Sequence, residues 1–392
     1  MAWVGLAVCL VACGAPGAHA AGAKRHSPSP VASTSPNGSA RSLFAVLESD
    51  SASGPPAHGA VALVDASGIA RARATFTPRQ APALLGGVAA LGQEAQVTSG
   101  GVDYVDGAGT VRELASSGVV STVAAFQLTP SQQEMSFAVS PDGATVVAAV
   151  LTLPPPPSPA AASAPATNQP LGAWVLEIQV SKNGSDPVVL HRWTSLAQPG
   201  LPGSFPMVQL VGWDEAGPVA LVGGSLSVPV SPLPGQTLFG GRLANVDLGS
   251  GIPSATTLGG CEGGAGSPWS VSPAGYVVCV AGGGEVSVRG ASAGPLYSFQ
   301  TASGTGSFSL SPDASMLAMD RLVLESNGHT HSLPPAFEPR GWIATNILIG
   351  ALSGGGSGTC GQDPELGVAS AAGSASVRDL GLCGTFVGTL GG

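Results

Sequence analysis

The sequence predicts an all-β chain arranged as a closed ring of small four-stranded antiparallel sheets. Three observations predict it. The composition favours short strands and turns over helices, one strand–turn–strand unit recurs along the chain, and a spare strand at the C-terminus matches a vacancy in the first unit.

Composition comes first. Of 392 residues, 44% are hydrophobic but only 9% are charged, against roughly 25% charged in ordinary soluble domains. With 58 Gly and 34 Pro, the polar surface must come from Gly, Ser, Thr and backbone, which suits many short strands. No stretch sustains a 3.6-residue apolar period with a polar face. The net charge is −9 and no basic stripe exists, which argues against nucleic-acid binding.

The N-terminal stretch MAWVGLAVCLVAC is apolar and too short to span a bilayer as a mature helix. Its end, Leu10-Val11-Ala12-Cys13, resembles the lipobox of bacterial lipoproteins. That resemblance implies a signal peptide over 1–12, a diacylglyceryl group on Cys13, and a membrane-anchored chain facing outside the cytoplasm. No Lys or Arg precedes the apolar run, a departure from the usual signal, and cleavage near Ala18-His19-Ala20 is the alternative. Residues 13–40 read as the lipidated cysteine and a flexible Ala/Gly/Ser/Pro tether, whose reach is about 30 Å for about 27 residues.

The recurring unit is clearest at Phe137–Val150, FAVSPDGATVVAAV. Pro141 presets φ for a turn, Ser140 and Asp142 bond nearby backbone, and Gly143 tolerates positive φ, so Ser-Pro-Asp-Gly joins two strands as a hairpin. WSVSPAGYVVCV from Trp269 and FSLSPDASMLAM from Phe308 repeat the form. Related turns stand at Asp65–Gly68, Asp106–Gly109, Asp214–Gly217 and Ser370–Gly373. Recurrence of one supersecondary unit implies a repeat architecture.

Applying the template in order gives seven units over 41–392. The first has only LFAVLES, AVALVD and IARARATF. The second is ALLGGVAAL, EAQVTS, VDYVD and TVREL. The third is Phe137–Ser140, Ala144–Leu153, Ala173–Val180 and Val188–Trp193. The fourth reads MVQLVGW, PVALVGG, GGRLANVDL and SATTLG, and the fifth PWSVS, YVVCVA, EVSVRG and PLYSF. The sixth reads SFSLS, MLAMD, LVLES and HTHSL, and the seventh GWIATN, ILIGAL, LGVAS and SASVRDL. The strand missing from the first unit is supplied by Gly384–Leu390, GTFVGTL. That closes the ring and hides two edges. With this turn between its first two strands, the chain resembles the TolB-type and WD-repeat-like β-propellers, which implies a seven-bladed β-propeller.

In that layout the A–B and C–D connections share one face, and the B–C and D–A connections share the other. The long insertions, including Pro154–Pro170 and Ser353–Glu365, fall on the second face. Besides Cys9 and Cys13, four cysteines remain, and an even number in an exported chain suggests two disulfides with three connectivities. The layout selects Cys261–Cys279 and Cys360–Cys383, the second clamping the closure.

Other motifs are weaker. Gly290–Gly294 matches a nucleophile elbow but lies in a C–D turn. Gly356–Gly361 fits a dinucleotide fingerprint without the strand and helix it needs. His329 and His331 alternate on a short strand without an evident third metal ligand. Asp103 and Asp106-Gly107 lack alternating calcium ligands. Trp213 and Trp342, read as standing at the starts of inner strands, either pack between blades or present an indole at the channel mouth. They are the candidate binding residues. Pro154–Pro157 is a stiff insertion.

The expected function is a monomeric, non-enzymatic binding or scaffolding lipoprotein, without cofactor or metal. It meets an envelope protein or ligand through its long-connection face. In layout it is similar to actinobacterial lipoproteins whose propellers assist sensor kinases. A lactonase or glycan-acting hydrolase is the alternative.

Overall fold

A computed structural model describes residues 42–49, 58–79, 94–129, 132–153, 173–196, 207–223, 241–255, 261, 267–271, 276–281, 284–290, 294–301, 308–353, 360–361, 363–373 and 376–390. The chain divides into Met1–Ala40 and Arg41–Gly392. The second unit is a seven-bladed propeller, each blade a four-stranded antiparallel sheet, with no helix among the described residues.

Blade one holds β1 (Leu43–Ser49), β2 (Gly59–Asp65) and β3 (Ala70–Phe76). Blade two holds β4 (Ala95–Val97), β5 (Gly101–Val105), β6 (Thr110–Ala115) and β7 (Val120–Ala125). Blade three holds β8 (Gln133–Val139), β9 (Thr145–Thr152), β10 (Ala173–Lys182) and β11 (Val188–Leu196). Blade four holds β12 (Met207–Asp214), β13 (Gly217–Gly223), β14 (Gly241–Val246) and β15 (Pro253–Ala255). Blade five holds β16 (Ser267–Val271), β17 (Val277–Val280), β18 (Glu285–Arg289) and β19 (Pro295–Gln300). Blade six holds β20 (Phe308–Leu310), β21 (Met316–Met319), β22 (Leu322–Glu325) and β23 (Thr330–Ser332). Blade seven holds β24 (Phe337–Ala344), β25 (Ile347–Leu352), β26 (Glu365–Ser370) and β27 (Val377–Cys383). The last strand, β28 (Thr385–Thr389), joins blade one in the order β28-β1-β2-β3.

The Ser-Pro-Asp-Gly turn forms as its chemistry requires. Ala144 N donates to Asp142 Oδ1 at 3.0 Å, and Thr145 N donates to Ser140 Oγ at 2.9 Å. Gly143 takes φ +69°. At the sister turn Ser311 Oγ donates to Asp313 Oδ1, and Met316 N to Ser311 Oγ, at 2.8 and 2.9 Å. There Ala314 adopts φ +57°, a left-handed conformation unusual for a residue bearing Cβ.

The core lies between blades rather than in one centre. Met135, Phe137 and Val139 pack with Val105, Val111 and Phe126, while Ala138 turns the other way to join Leu176, Val208 and Leu210. Strand alternation thus feeds two interfaces at once. Inner-strand backbone is bonded by side chains of neighbouring elements. Ser136 Oγ accepts Leu210 N at 2.9 Å, Trp342 Nε1 donates to Ser309 O at 3.0 Å, and Thr389 Oγ1 donates to Trp342 O at 2.7 Å. These bonds meet the demand that buried backbone groups find partners.

Closure occurs as Gly384–Leu390 was expected to make it: Phe44, Ala45, Val46 and Leu47 pair antiparallel with β28. The joint is clamped on the long-connection side. Cys360 and Cys383 are bonded, with Cα atoms 5.2 Å apart. Gly384 N donates to Pro364 O at 3.0 Å, and Asp363 accepts Ser49 N at 2.6 Å and Ser49 Oγ at 3.1 Å. Gly384 sits at φ +144°, and a Cβ there would meet Leu47 O at 2.6 Å. Cys261 and Cys279 are likewise bonded, their Cα atoms 5.4 Å apart. Replacing Cys360 and Cys383 together with Ser should lower stability by about 3 kcal/mol, read as a fall in the urea midpoint.

Two strand assignments need correction. In blade two EAQVTS is the innermost strand, β4, not the second, and ALLGGVAAL lies outside the described residues. The outer strand is Val120–Ala125, which is mostly exposed and so carries little apolar signal. Trp213 and Trp342 stand near the ends of β12 and β24, beside the A–B turns, not at their starts.

Candidate functional site

Three charged side chains converge where inner strands begin on the long-connection face. Arg79 follows β3 on the way into blade two, Glu94 immediately precedes β4, and Glu134 is the second residue of β8. In a chain this poor in charge, such burial is conspicuous: Arg79 is 8% exposed and Glu134 0%. Arg79 Nη1 donates to Met135 O at 2.8 Å. Lower on the same strand, Gln96 Oε1 accepts Val139 N at 3.3 Å.

Burial pulls the Arg79 guanidinium below its ordinary value, and the charges of Glu134 and Glu94 oppose that. Burial raises Glu94, and Arg79 opposes it. Arg79 Nη2 is buried with no acceptor from the protein. A guanidinium offers a planar fork of donors, so a ligand oxygen placed at Nη2 would complete it.

A cavity of about 580 Å³ lies on the outer side between β3 and blade two. It is lined by Ala74, Phe76, Tyr104, Asp106, Arg112 and Val120 among others. The Phe76 and Tyr104 rings are 5.0 Å apart, and Arg112 Nε lies 3.2 Å from Asp106 Oδ2. Its apolar wall and single ion pair suit a small amphipathic ligand rather than acid–base chemistry.

Asp103 is buried on the face of blade two toward blade three, and its carboxyl is pushed up to about 7. Burial is the main cause and Glu113 adds to it, while a bond with Thr98 opposes. Asp103 Oδ2 has no hydrogen-bond partner. Neither Asp103 nor Asp106 belongs to a calcium loop, for Asp106 Oδ1 caps its own turn by accepting Ala108 N and Thr110 N at 3.0 Å.

The other sequence candidates fall elsewhere. Trp342 is 4% exposed, packs with Leu348 and Phe337, and spends its N–H on blade six, so it holds two blades together rather than presenting an indole. Trp213 is half-buried against Val208 and Leu210. Both stand by the short turns, away from the long-connection face. His331 Nε2 is 2.7 Å from Glu325 Oε1, and His329 Nδ1 is 3.9 Å from Glu325 Oε2. The bond from His331, then that from Asn327, holds the Glu325 carboxyl low. No cluster of three metal-ligating residues occurs among the described residues. Cys13, Pro154–Pro157 and residues 291–293 and 356–359 of the two glycine motifs lie outside the described residues.

Sequence reasoning missed Arg79, Glu94 and Glu134, because they come from three blades and no spacing links them. The one local signal was Glu134 itself, a carboxylate at the head of an apolar strand, QEMSFAV.

No family model matches the chain, and no curated protein matches it. Solved structures do. An oligogalacturonate lyase in complex with manganese is 10% identical over 80% of this chain and 82% of its own, with a TM-score of 0.44. BamB from Moraxella catarrhalis is 10% identical over 76% and 72%, with a TM-score of 0.31. An acylaminoacyl peptidase from Pyrococcus horikoshii is 8% identical over 86% of this chain and 52% of its own, with a TM-score of 0.36. These likenesses concern architecture alone. They do correct one expectation, that of a non-enzymatic protein: a lyase and a peptidase share this architecture, so the fold gives no ground for excluding catalysis.

Proposed function

We propose that the chain is a lipid-anchored, extracytoplasmic propeller that binds a ligand or an envelope partner through its long-connection face. The observation that carries the reading is the convergence of Arg79, Glu94 and Glu134 on that face, with Arg79 Nη2 buried and lacking an acceptor from the protein. Two disulfides support an oxidising compartment, and the Leu10–Cys13 motif supports the anchor.

Two experiments test it. A photo-crosslinking residue placed at Thr129, Arg321 or Ala336, all exposed on the long-connection face, should trap the same partner or ligand in cells. The same group at Asp142 or Glu215, on the opposite turns, should not, and trapping from the second set alone would reverse the assignment. Separately, Cys13→Ala should shift the protein from the membrane to the soluble fraction. Unchanged retention would refute lipidation at that residue.

A further inference from the structure

The large apolar side chains that remain exposed are not scattered. Among the described residues there are eight: Ile69, Val119, Val120, Val188, Val189, Ile252, Leu296 and Leu322. All but Leu322 stand just after a C–D turn, at the outer rim of the short-turn face, in blades one to five. Their exposure runs from 43% at Val120 to 62% at Val119.

Local geometry makes the position repeat. Gly68, Gly118 and Gly251 take φ +87°, +88° and +70°, closing the C–D turns of blades one, two and four. The next residue then has its carbonyl bonded back across the turn, as in Asp65 N to Ile69 O, Ala115 N to Val119 O and Asp247 N to Ile252 O. Its side chain stands outward. In blade six the same site follows Gly328 and holds His329, so nothing in the turn demands an aliphatic residue. Blades three and five carry theirs in the first two residues of the outer strand, Val188, Val189 and Leu296, so among the described residues the exposed aliphatics of this rim fall in five consecutive blades.

The chain also enters the ring on this face. Leu43, the first residue of β1, pairs with Asp65, the residue that opens the first C–D turn. The first described strand therefore begins on the side that carries the rim.

We infer that the short-turn face is the membrane side of the propeller and that its aliphatic arc rests on the lipid surface. This rests on the anchored reading proposed above. Tethering raises the local concentration of the face at the bilayer, so contacts that are individually weak suffice, and aliphatic side chains insert shallowly at such an interface. Charge does not drive the contact. The face carries Asp142, Asp186, Asp214, Asp247 and Asp313 beside Lys182 and Arg289, so the docking is apolar and persists in high salt, unlike that of a polybasic segment. The long-connection face is left turned outward.

The test uses the full lipidated chain in phosphatidylcholine vesicles containing a lipid with a photoreactive acyl chain. After irradiation, peptides bearing Ile69, Val119, Val188, Ile252 or Leu296 are expected to carry adducts several-fold above those bearing Thr129, Arg321 or Ala336, at low and high salt alike. The combined variant Ile69→Asn, Val119→Asn, Ile252→Asn and Leu296→Asn should lose the adducts on the peptides bearing those four positions, yet still sediment with vesicles and keep its β-sheet circular dichroism. Adducts confined to the segment before Leu43 would overturn the docking while leaving the anchor standing, and adducts on the long-connection peptides would overturn the orientation. A chain that neither sediments nor acquires adducts would overturn the anchor and the docking together.

Discussion

Removal of residues 384–392 is expected to unfold the protein. β28 is the innermost strand of blade one, and its loss bares the edge of β1 along Phe44–Leu47. Phe386, 5% exposed, packs with Phe44, Ile343 and Leu366 across blades one and seven. Truncating one such ring costs about 3–5 kcal/mol, and whole domains are stable by only about 5–15 kcal/mol. The deletion also removes the bond from Thr389 Oγ1 to Trp342 O and that from Leu390 N to Leu43 O, at 2.7 and 2.8 Å. Yield of soluble monomer and urea unfolding followed by tryptophan fluorescence would read the outcome. Phe386→Ala is the milder form, expected to lower stability by about 3–5 kcal/mol. A truncated chain with the full-length midpoint and slope would show that closure is not what holds the ring.

Asp103→Asn is expected to remove a pH dependence. An aspartate whose carboxyl is raised from 3.8 to about 7 in the folded state binds its proton more tightly folded than unfolded. Its contribution is therefore full below about pH 4 and is lost as pH rises toward 7, where the buried group must ionise beside Glu113. A shift of that size corresponds to about 4 kcal/mol. Glu94, also raised, slopes the same way, whereas Asp142, Asp247 and Asp313, held low by their turns, lose stability only in stronger acid. The comparison is thus the difference between wild type and variant. Urea midpoints at pH 4.5 and 8 should fall between the two pH values for the wild type and much less for Asp103→Asn. Equal slopes in the two proteins would mean that Asp103 ionises freely in the fold.

Much of the ring was legible because its signals are local. Ser140-Pro141-Asp142-Gly143 forms from its own side chains, and β9, TVVAAVLT, is apolar enough to read as buried on both faces. β28 was legible by subtraction, since the first unit lacked a strand. Blade two was misread because its outer strand, VSTVAA, is exposed, while the apolar run before Glu94 looked more like a strand than β4 does. The tryptophans were misplaced for another reason: GWIATN was read as beginning at Gly341, whereas β24 begins at Phe337, and Trp213 stands at the end of MVQLVGW rather than its start.

The order of strands in every blade but the second, the turn that joins them and the pairing of the ends were written in the chain, because neighbouring residues and a simple count carry them. The meeting of Arg79, Glu94 and Glu134, the burial that raises Asp103, and the gathering of seven aliphatic side chains on one rim were decided only when the blades closed around an axis. Closure sets side by side residues tens of positions apart, and the desolvation that alters their chemistry exists only once neighbouring blades exclude water.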